Sequence, residues 1–442
     1  MAVLLAGCSS ASTPGAATSS TGASATGLSS ASATSTASST DTGPPATAAT
    51  EASSSTVATA SSGTAPASSA PTGAAAGDSP VVAAAVAECV RTRLTRLQLA
   101  DRVGQLLVVG IPATAPVQGA GLARAVRAGG VFLHGRSSQS LGVVAQGIGA
   151  LQASAGLAGL LPLQVTVDQE GGQIQALSGT GFPAMPSAVV QGTWGAAQLR
   201  ETTRAWATAL VRAGVTWNLA PVADTVPAGM LDQNQPIGHY QREYGTTPAA
   251  VGDDVATVVQ ASRSTGLLTT VKHFPGLGRV TDNTDVSATA TDPVTTTGDP
   301  YLQPFVRGIA AGSSAVMISS ASYPRLDANH LAVFSPAVIQ GLLRGTLGYD
   351  GLVISDDLGM ATSVQSVPAG QRAVQFVAAG GDVVLTVRAA EATPMYQALL
   401  AAAKGSAGFQ ARVDRSASRV LTEKVHAGLL PCPGYVKPVA AG

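Results

Sequence analysis

Charge is scarce in this chain. Asp, Glu, Lys and Arg make up 11% of its 442 residues, against roughly 25% in ordinary globular proteins. The deficit is concentrated at one end, since no Lys or Arg precedes Arg91. The 25 basic and 25 acidic residues cancel and form no basic stripe, so a nucleic-acid partner has no support. Cysteine is nearly absent, with three in the chain, and none stands in Cys-x-x-Cys. The five His residues are scattered, with no His-x-x-x-His, so no metal site is expected. No Gly-x-Gly-x-x-Gly fingerprint or P-loop follows the first strand candidate, and no Gly-x-Ser-x-Gly elbow occurs. Nucleotide binding and serine-hydrolase chemistry are therefore both disfavoured.

What is present begins with a low-complexity tract. Residues 9 to about 80 are almost entirely Ser, Thr, Ala, Gly and Pro. Such a tract has nothing to bury and cannot offset its own chain entropy, so it reads as disordered. Before it, Leu5-Ala6-Gly7-Cys8 resembles the lipobox of bacterial lipoproteins, whose Cys becomes the lipidated N-terminus. The basic n-region of a secretory signal is missing and the apolar run is short. The expected reading is a truncated signal remnant over 1–8 and a disordered linker over 9–85. A flexible tether of roughly 75 residues has an r.m.s. span of about 45–50 Å. No transmembrane helix is expected, so attachment to the membrane would be by lipid alone. The remaining pair, Cys89 and Cys432, brackets the folded region. A disulfide pinning its ends fits an oxidising compartment; the alternative is two buried free thiols.

From residue 86 the pattern changes. A helix is expected over Leu94–Val103, and eight short apolar runs follow. They are Leu106–Gly110, Gly130–Leu133, Leu163–Val167, Val215–Leu219, Leu267–Val271, Ala315–Ile318, Leu352–Ile354 and Asp382–Leu385. Ala-rich stretches with helical spacing lie between most of them, such as Ala197–Ala213 and Pro368–Ala379. Pro368 suits the first helical position. Alternating strand and helix, with strands apolar throughout, argues for a parallel α/β architecture. Eight units favour a single (β/α)8 TIM-like barrel over 86–442.

Polar residues gather where these strands end, as a barrel site requires. Asp168-Gln169-Glu170-Gly171-Gly172 follows the third candidate, and Asn218, Pro221 and Asp224 close the fourth. Lys272 and His273 follow the fifth, and Asp356-Asp357 the seventh. Asp168, beside Gly171-Gly172, reads as a ligand-binding carboxylate on a loop whose backbone comes close to a ligand, or otherwise as a turn or helix cap. Lys272 and His273 could form structural ion pairs, but adjacent side chains at a strand end point different ways and the following Pro-Gly fixes the loop, so they read as ligand contacts. Buried carboxylates at Asp356-Asp357 need cations nearby, and Lys272 and Arg242 are candidates. One acid reads as functional and the other as structural. Arg242 reads otherwise as a surface helix charge.

Taken together these blocks resemble glycoside hydrolase family 3, in particular its bacterial β-N-acetylhexosaminidase branch of NagZ-like enzymes. The matching segments are Asp168–Gly172, Asn218–Asp224, Arg242 with Tyr244-Gly245, Lys272–Gly276 and Ile354–Met360. They stand in family order. The lipobox and tether are similar to actinobacterial lipoprotein members. The resemblance implies a retaining mechanism with Asp356 as nucleophile. It implies that Asp168, Arg242, Lys272 and His273 hold the sugar hydroxyls. Both roles agree with the chemistry: sugars need charged hydrogen-bond partners, and retention needs a carboxylate at the anomeric carbon.

The chain departs from the family at the acid/base. Leu277 stands where the family loop has His, and Asn283-Thr284-Asp285 replaces Asp-Ser-His. Asp285 is the expected acid/base, on a mobile loop and oriented by Asn283. A dry or acidic setting would raise its pKa for that role. Asp282 is the alternative, and a merely solvated loop is the bland reading. Gln173 stands where the family often has Arg, which would relax the demand on the far side of the sugar. The expected activity is exo-hydrolysis of terminal β-N-acetylglucosamine from peptidoglycan fragments by a monomeric, extracytoplasmic lipoprotein. Competing readings are a β-glucosidase-like enzyme and a non-catalytic glycan-binding lipoprotein. No cofactor is implied, because glycosyl transfer needs only carboxylates and positioning.

Overall fold

The computed structural model describes residues 79–438. Cys8 and the part of the expected linker up to residue 78 lie outside the described residues. Eight parallel strands form one sheet: β1 Leu107–Pro112, β2 Gly130–His134, β3 Gln164–Val167, β4 Trp217–Asn218, β5 Leu268–Phe274, β6 Ala315–Ile318, β7 Leu352–Ser355 and β8 Val384–Thr386. The spatial order is β7-β6-β5-β4-β3-β2-β1-β8. A parallel bridge between Ile354 and Val383 brings its two ends together. A helical segment follows each strand, among them Leu141–Leu157, Ala196–Arg212, Pro248–Arg263 and Ala389–Gly405. This is the (β/α)8 barrel that the eight apolar runs imply.

Strand periodicity builds two cores. Val109, Ile111, Val131, Val165, Val167, Val316, Ile318 and Val353 face outward against the helices. Val108, Phe132, Trp217, Leu268, Met317, Leu352 and Ile354 fill the barrel interior. Val420 of the last helix, Ala407–His426, and its C-cap Ala427 join that inner cluster. The barrel is therefore a packed core, and the site can lie only at an end of it. The inward series of β7 runs Leu352, Ile354, Asp356, and that of β5 runs Leu268, Thr270, Lys272. Apolar residues occupy the interior and charge appears where each series leaves it.

Several local expectations are corrected. The first helix spans Pro80–Arg96, so the expected boundary at residue 86 falls inside it. Ser79 caps it and Pro80 opens it. Val86 and Val90 supply the apolar stripe that packs on Leu421 and Val425. The helix expected over Leu94–Val103 is broken near Gln98, whose N–H is taken by the Asp101 carboxylate as a second helix begins at Leu99. Pro368 is the N-cap of Ala369–Ala379 rather than its first residue. The fifth strand runs past Val271 to Phe274.

Cys89 and Cys432 form a disulfide with Cα atoms 5.9 Å apart. It ties the first helix to the segment after the last one, and Arg93 adds a 2.6 Å bond to the Pro431 carbonyl. Replacing Cys432 by Ser should cost about 2–4 kcal/mol of stability. Urea melts of the variant and the oxidised wild type check this; identical midpoints would contradict it.

Candidate active site

A cleft of about 570 Å³ opens at the C-terminal edge of the barrel. Asp168, Arg242, Lys272, His273, Asn283, Asp285 and Asp356 all line it. The structure therefore brings the expected sugar-binding and catalytic residues to one place.

Its charged wall is organised around Glu170. Both Glu170 oxygens accept from Arg242, with Nε–Oε2 and Nη2–Oε1 at 2.8 Å. Lys272 Nζ lies 2.7 Å from Glu170 Oε1 and 2.6 Å from Asp168 Oδ1. Burial alone would raise the Glu170 pKa, but the Arg242 and Lys272 cations outweigh it and hold it well below the usual range. Burial works against the Lys272 charge, and Asp168 and Glu170 more than restore it. Arg242 is likewise held charged, chiefly by Glu170 against burial. Glu170 is almost fully covered, whereas the Asp168 side chain is 33% exposed. Asp168 is thus the carboxylate offered to a ligand, and Glu170 the one that fixes the two cations.

His273 extends the network. Its Nδ1 lies 2.7 Å from Asp224 Oδ2, and its Nε2 lies 3.3 Å from Arg242 Nη2. In the tautomer with the proton on Nδ1, Asp224 Oδ2 accepts from Nδ1–H and Nε2 accepts from Arg242 Nη2. Asp224 also accepts from the Leu277 N–H at 2.7 Å and so shapes the start of the following loop. Lys272 and His273 were expected to point different ways, yet both face the cleft. The register of β5 against β6 slips between Val271 and Phe274. Such an irregularity inserts a residue and re-aims the side chains around it.

The acid pair after β7 divides its roles. Asp357 accepts from the N–H groups of Gly359, Met360 and Val387 at 2.8–3.0 Å, so it folds the loop. Both acids line the cleft, but the Asp356 carboxylate accepts from the Asp357 N–H at 2.8 Å rather than from the turn and loop that Asp357 ties together. Burial pushes the Asp356 pKa up; His273 and Lys272 oppose that, while the nearby charge of Asp285 adds to it. Asp285 is exposed, so it does not sit in a dry setting. Its loop was expected to be mobile, but it is anchored. The Asp285 carbonyl accepts from Thr362 N at 3.1 Å and Thr362 Oγ1 at 2.8 Å. Ser363 N bonds the Thr284 carbonyl. Asn283 accepts from the Asp285 N–H at 2.9 Å, so it orients backbone rather than the carboxyl. Asp282 is not among the residues lining the cleft. Its carboxylate accepts from Ser287 and Thr289, which removes it as the alternative acid.

Two further expectations change. Gly171 was read as a close approach of backbone to ligand, but a Cβ there would strike the Pro186 carbonyl, at φ +110°. The tight approach is internal. A cation is present beside Gln173 after all: Arg136, from the loop after β2, donates through Nη2 to the Gln173 carbonyl at 2.5 Å, and both residues line the cleft.

A sequence profile of the Glycosyl hydrolase family 3 N terminal domain matches residues 98–423. The chain belongs to glycoside hydrolase family 3. It is similar to a β-hexosaminidase of Xanthomonas oryzae pv. oryzae, 34% identical over 264 residues, covering 58% of this chain and 75% of that protein. Among solved structures it is similar to a β-N-acetylhexosaminidase from Beutenbergia cavernae. That match has TM-score 0.72 and 40% identity, covering 74% of this chain and 99% of the other. LpqI of M. tuberculosis aligns with TM-score 0.65 and 28% identity, covering 76% and 96%. This family-3 chain is a glycoside hydrolase.

The residue that sequence reasoning passed over is Glu170. A signal existed: it stands two positions from Asp168 in an extended segment and so shares its face. Asn234 was also missed. It holds the Leu277 and Val280 carbonyls and the Ile237 and Gly238 N–H groups, joining the Arg242 segment to the Asp285 loop. Because the Glu170 pKa is depressed, its stabilisation is complete above the ordinary value of 4.5 and is lost as pH falls toward its folded value. Glu170→Gln should lose about 3–5 kcal/mol at pH 7 and less at pH 3. Urea unfolding at the two pH values checks this; a deficit that does not change with pH would contradict it.

Proposed function

We propose that this hydrolase is a retaining exo-β-N-acetylglucosaminidase acting on terminal β-linked N-acetylglucosamine of peptidoglycan-derived glycans. The observation that carries it is Asp356 set in the same cleft as the Asp168–Lys272–Glu170–Arg242 cluster, with Asp285 close enough to influence its charge. Lys272, Arg242 and His273 hold the sugar with Asp168, whose exposed oxygen accepts from a hydroxyl. Asp356 attacks the anomeric carbon as Asp285 gives its proton to the leaving oxygen. A glycosyl ester forms and the alcohol departs. Asp285 then takes a proton from water, which attacks the anomeric carbon and releases Asp356. Relatives described as β-hexosaminidases and β-N-acetylhexosaminidases support the choice of sugar.

The cellular setting is part of the same reading. Cys8 is the lipidated residue, the Ser/Thr-rich tract is a tether, and the enzyme works as a monomer outside the cytoplasm. The Cys89–Cys432 disulfide supports an oxidising compartment.

Asp356→Ala should reduce turnover of a chromogenic β-N-acetylglucosaminide by about 10⁴-fold or more. Asp285→Ala should slow substrates with poor leaving groups about 10²–10⁴-fold and activated aryl glycosides far less. Equal losses on both would remove Asp285 from the acid/base role, and turnover of β-glucoside alone would change the sugar. Since burial raises the Asp356 pKa, the acid limb of kcat/KM should lie above the ordinary aspartate value of 3.8. A limb at or below that value would contradict the nucleophile's setting.

A further inference from the structure

The leaving group must sit against the acid that protonates it. Whatever flanks Asp285 in the cleft is therefore what an aglycone meets. Val286 is the next residue in the chain and is 77% exposed. Met360, four residues beyond Asp356, is 47% exposed. Both line the cleft with Asp285 and Asp356, and none of the other large exposed apolar residues among those described does so. Isolated exposed apolar side chains need no explanation. Two on separate loops, converging beside the reacting carboxylates, are a different matter.

The two loops are also locked together. Thr362, two residues after Met360, donates both its N–H and its hydroxyl to the Asp285 carbonyl, and Ser363 holds Thr284. Gln365 braces the Met360 turn from below, through the Gly359 and Ala361 carbonyls at 3.0 and 3.1 Å. Val286 and Met360 are thus held in place before a substrate arrives, which lowers the ordering cost of binding. The sugar-holding cations Lys272 and Arg242 are paired with Glu170 and Asp168, on segments other than the two loops that carry Val286 and Met360.

We propose that Val286 and Met360 form a preformed leaving-group subsite that selects aglycones presenting an apolar face. The inference rests on the hexosaminidase reading and names the class of substrate for that same site. The gain comes from apolar surface removed from water at the rim. It acts on both the bound substrate and the transition state, so it appears mainly in KM.

The test compares methyl and octyl β-N-acetylglucosaminides, the latter below its micelle-forming concentration. Both release a simple primary alcohol, so the chemistry is nearly constant and only the apolar area differs. The expected wild-type kcat/KM is about tenfold higher for the octyl glycoside, mostly through KM. In the Val286→Ser/Met360→Gln double variant the ratio should fall to near one while methyl glycoside turnover stays unchanged. The single Val286→Ser variant, altered at an exposed position, should give an intermediate ratio. The corresponding S-glycosides, used as competitive inhibitors, should reproduce the same ratios without turnover. A wild-type ratio near one, or a ratio that the variants leave intact, overturns the subsite while methyl turnover upholds the activity. No turnover of either glycoside and no inhibition by either S-glycoside overturns the activity and the subsite with it.

Discussion

One buried carboxylate organises the sugar-binding wall of this barrel. Glu170 takes both arms of Arg242 and the ammonium of Lys272. A buried ion pair is seldom a net source of stability, because desolvation offsets much of the attraction. Its use here is positional. Two cations from segments more than 25 residues apart are fixed on one anion, and what they leave exposed is Asp168. From Arg242 the network passes to His273 and ends on Asp224, whose second role is to hold the Leu277 N–H. The sugar-holding groups and the loop bearing Asp285 are therefore parts of one hydrogen-bonded assembly.

The barrel makes that assembly possible by simple periodicity. Inward positions of β5 and β7 are apolar or neutral until the strand leaves the core, where Lys272 and Asp356 appear. Two charges of opposite sign thus reach one cleft, while the positions below them in the inward series of these two strands carry none. The slip in register between β5 and β6 adds His273 to the same face. Asp357, one position beyond the nucleophile candidate, turns to three backbone N–H groups and shapes the loop that carries Met360.

Much of this was legible in the sequence. Eight apolar runs separated by helical stretches indicate the barrel, and Asp168, Lys272, His273 and Asp356 stand out at the strand ends, with Arg242 in the long segment between the fourth and fifth. The less legible features depend on partners distant along the chain. Nothing local shows that Arg242 lands on Glu170, that Thr362 clamps the Asp285 loop, or that Arg136 reaches Gln173. The Asp285 loop, expected to be mobile, is an example. Composition describes what a segment would do alone, and hydrogen bonds from another loop decide otherwise. Asp282 fails as an acid for a similar reason, since Ser287 and Thr289 a few residues on engage it.

The account centres on Asp356 as the group that bonds to the sugar. The most direct measurement is mass spectrometry of the protein after reaction with an activated 5-fluoro-N-acetylglucosaminyl donor, which slows release of the glycosyl ester. The account predicts one added glycosyl mass, located after proteolysis on Asp356. A label on Asp357, Asp285 or any other residue would contradict it, as would continued turnover with no ester formed.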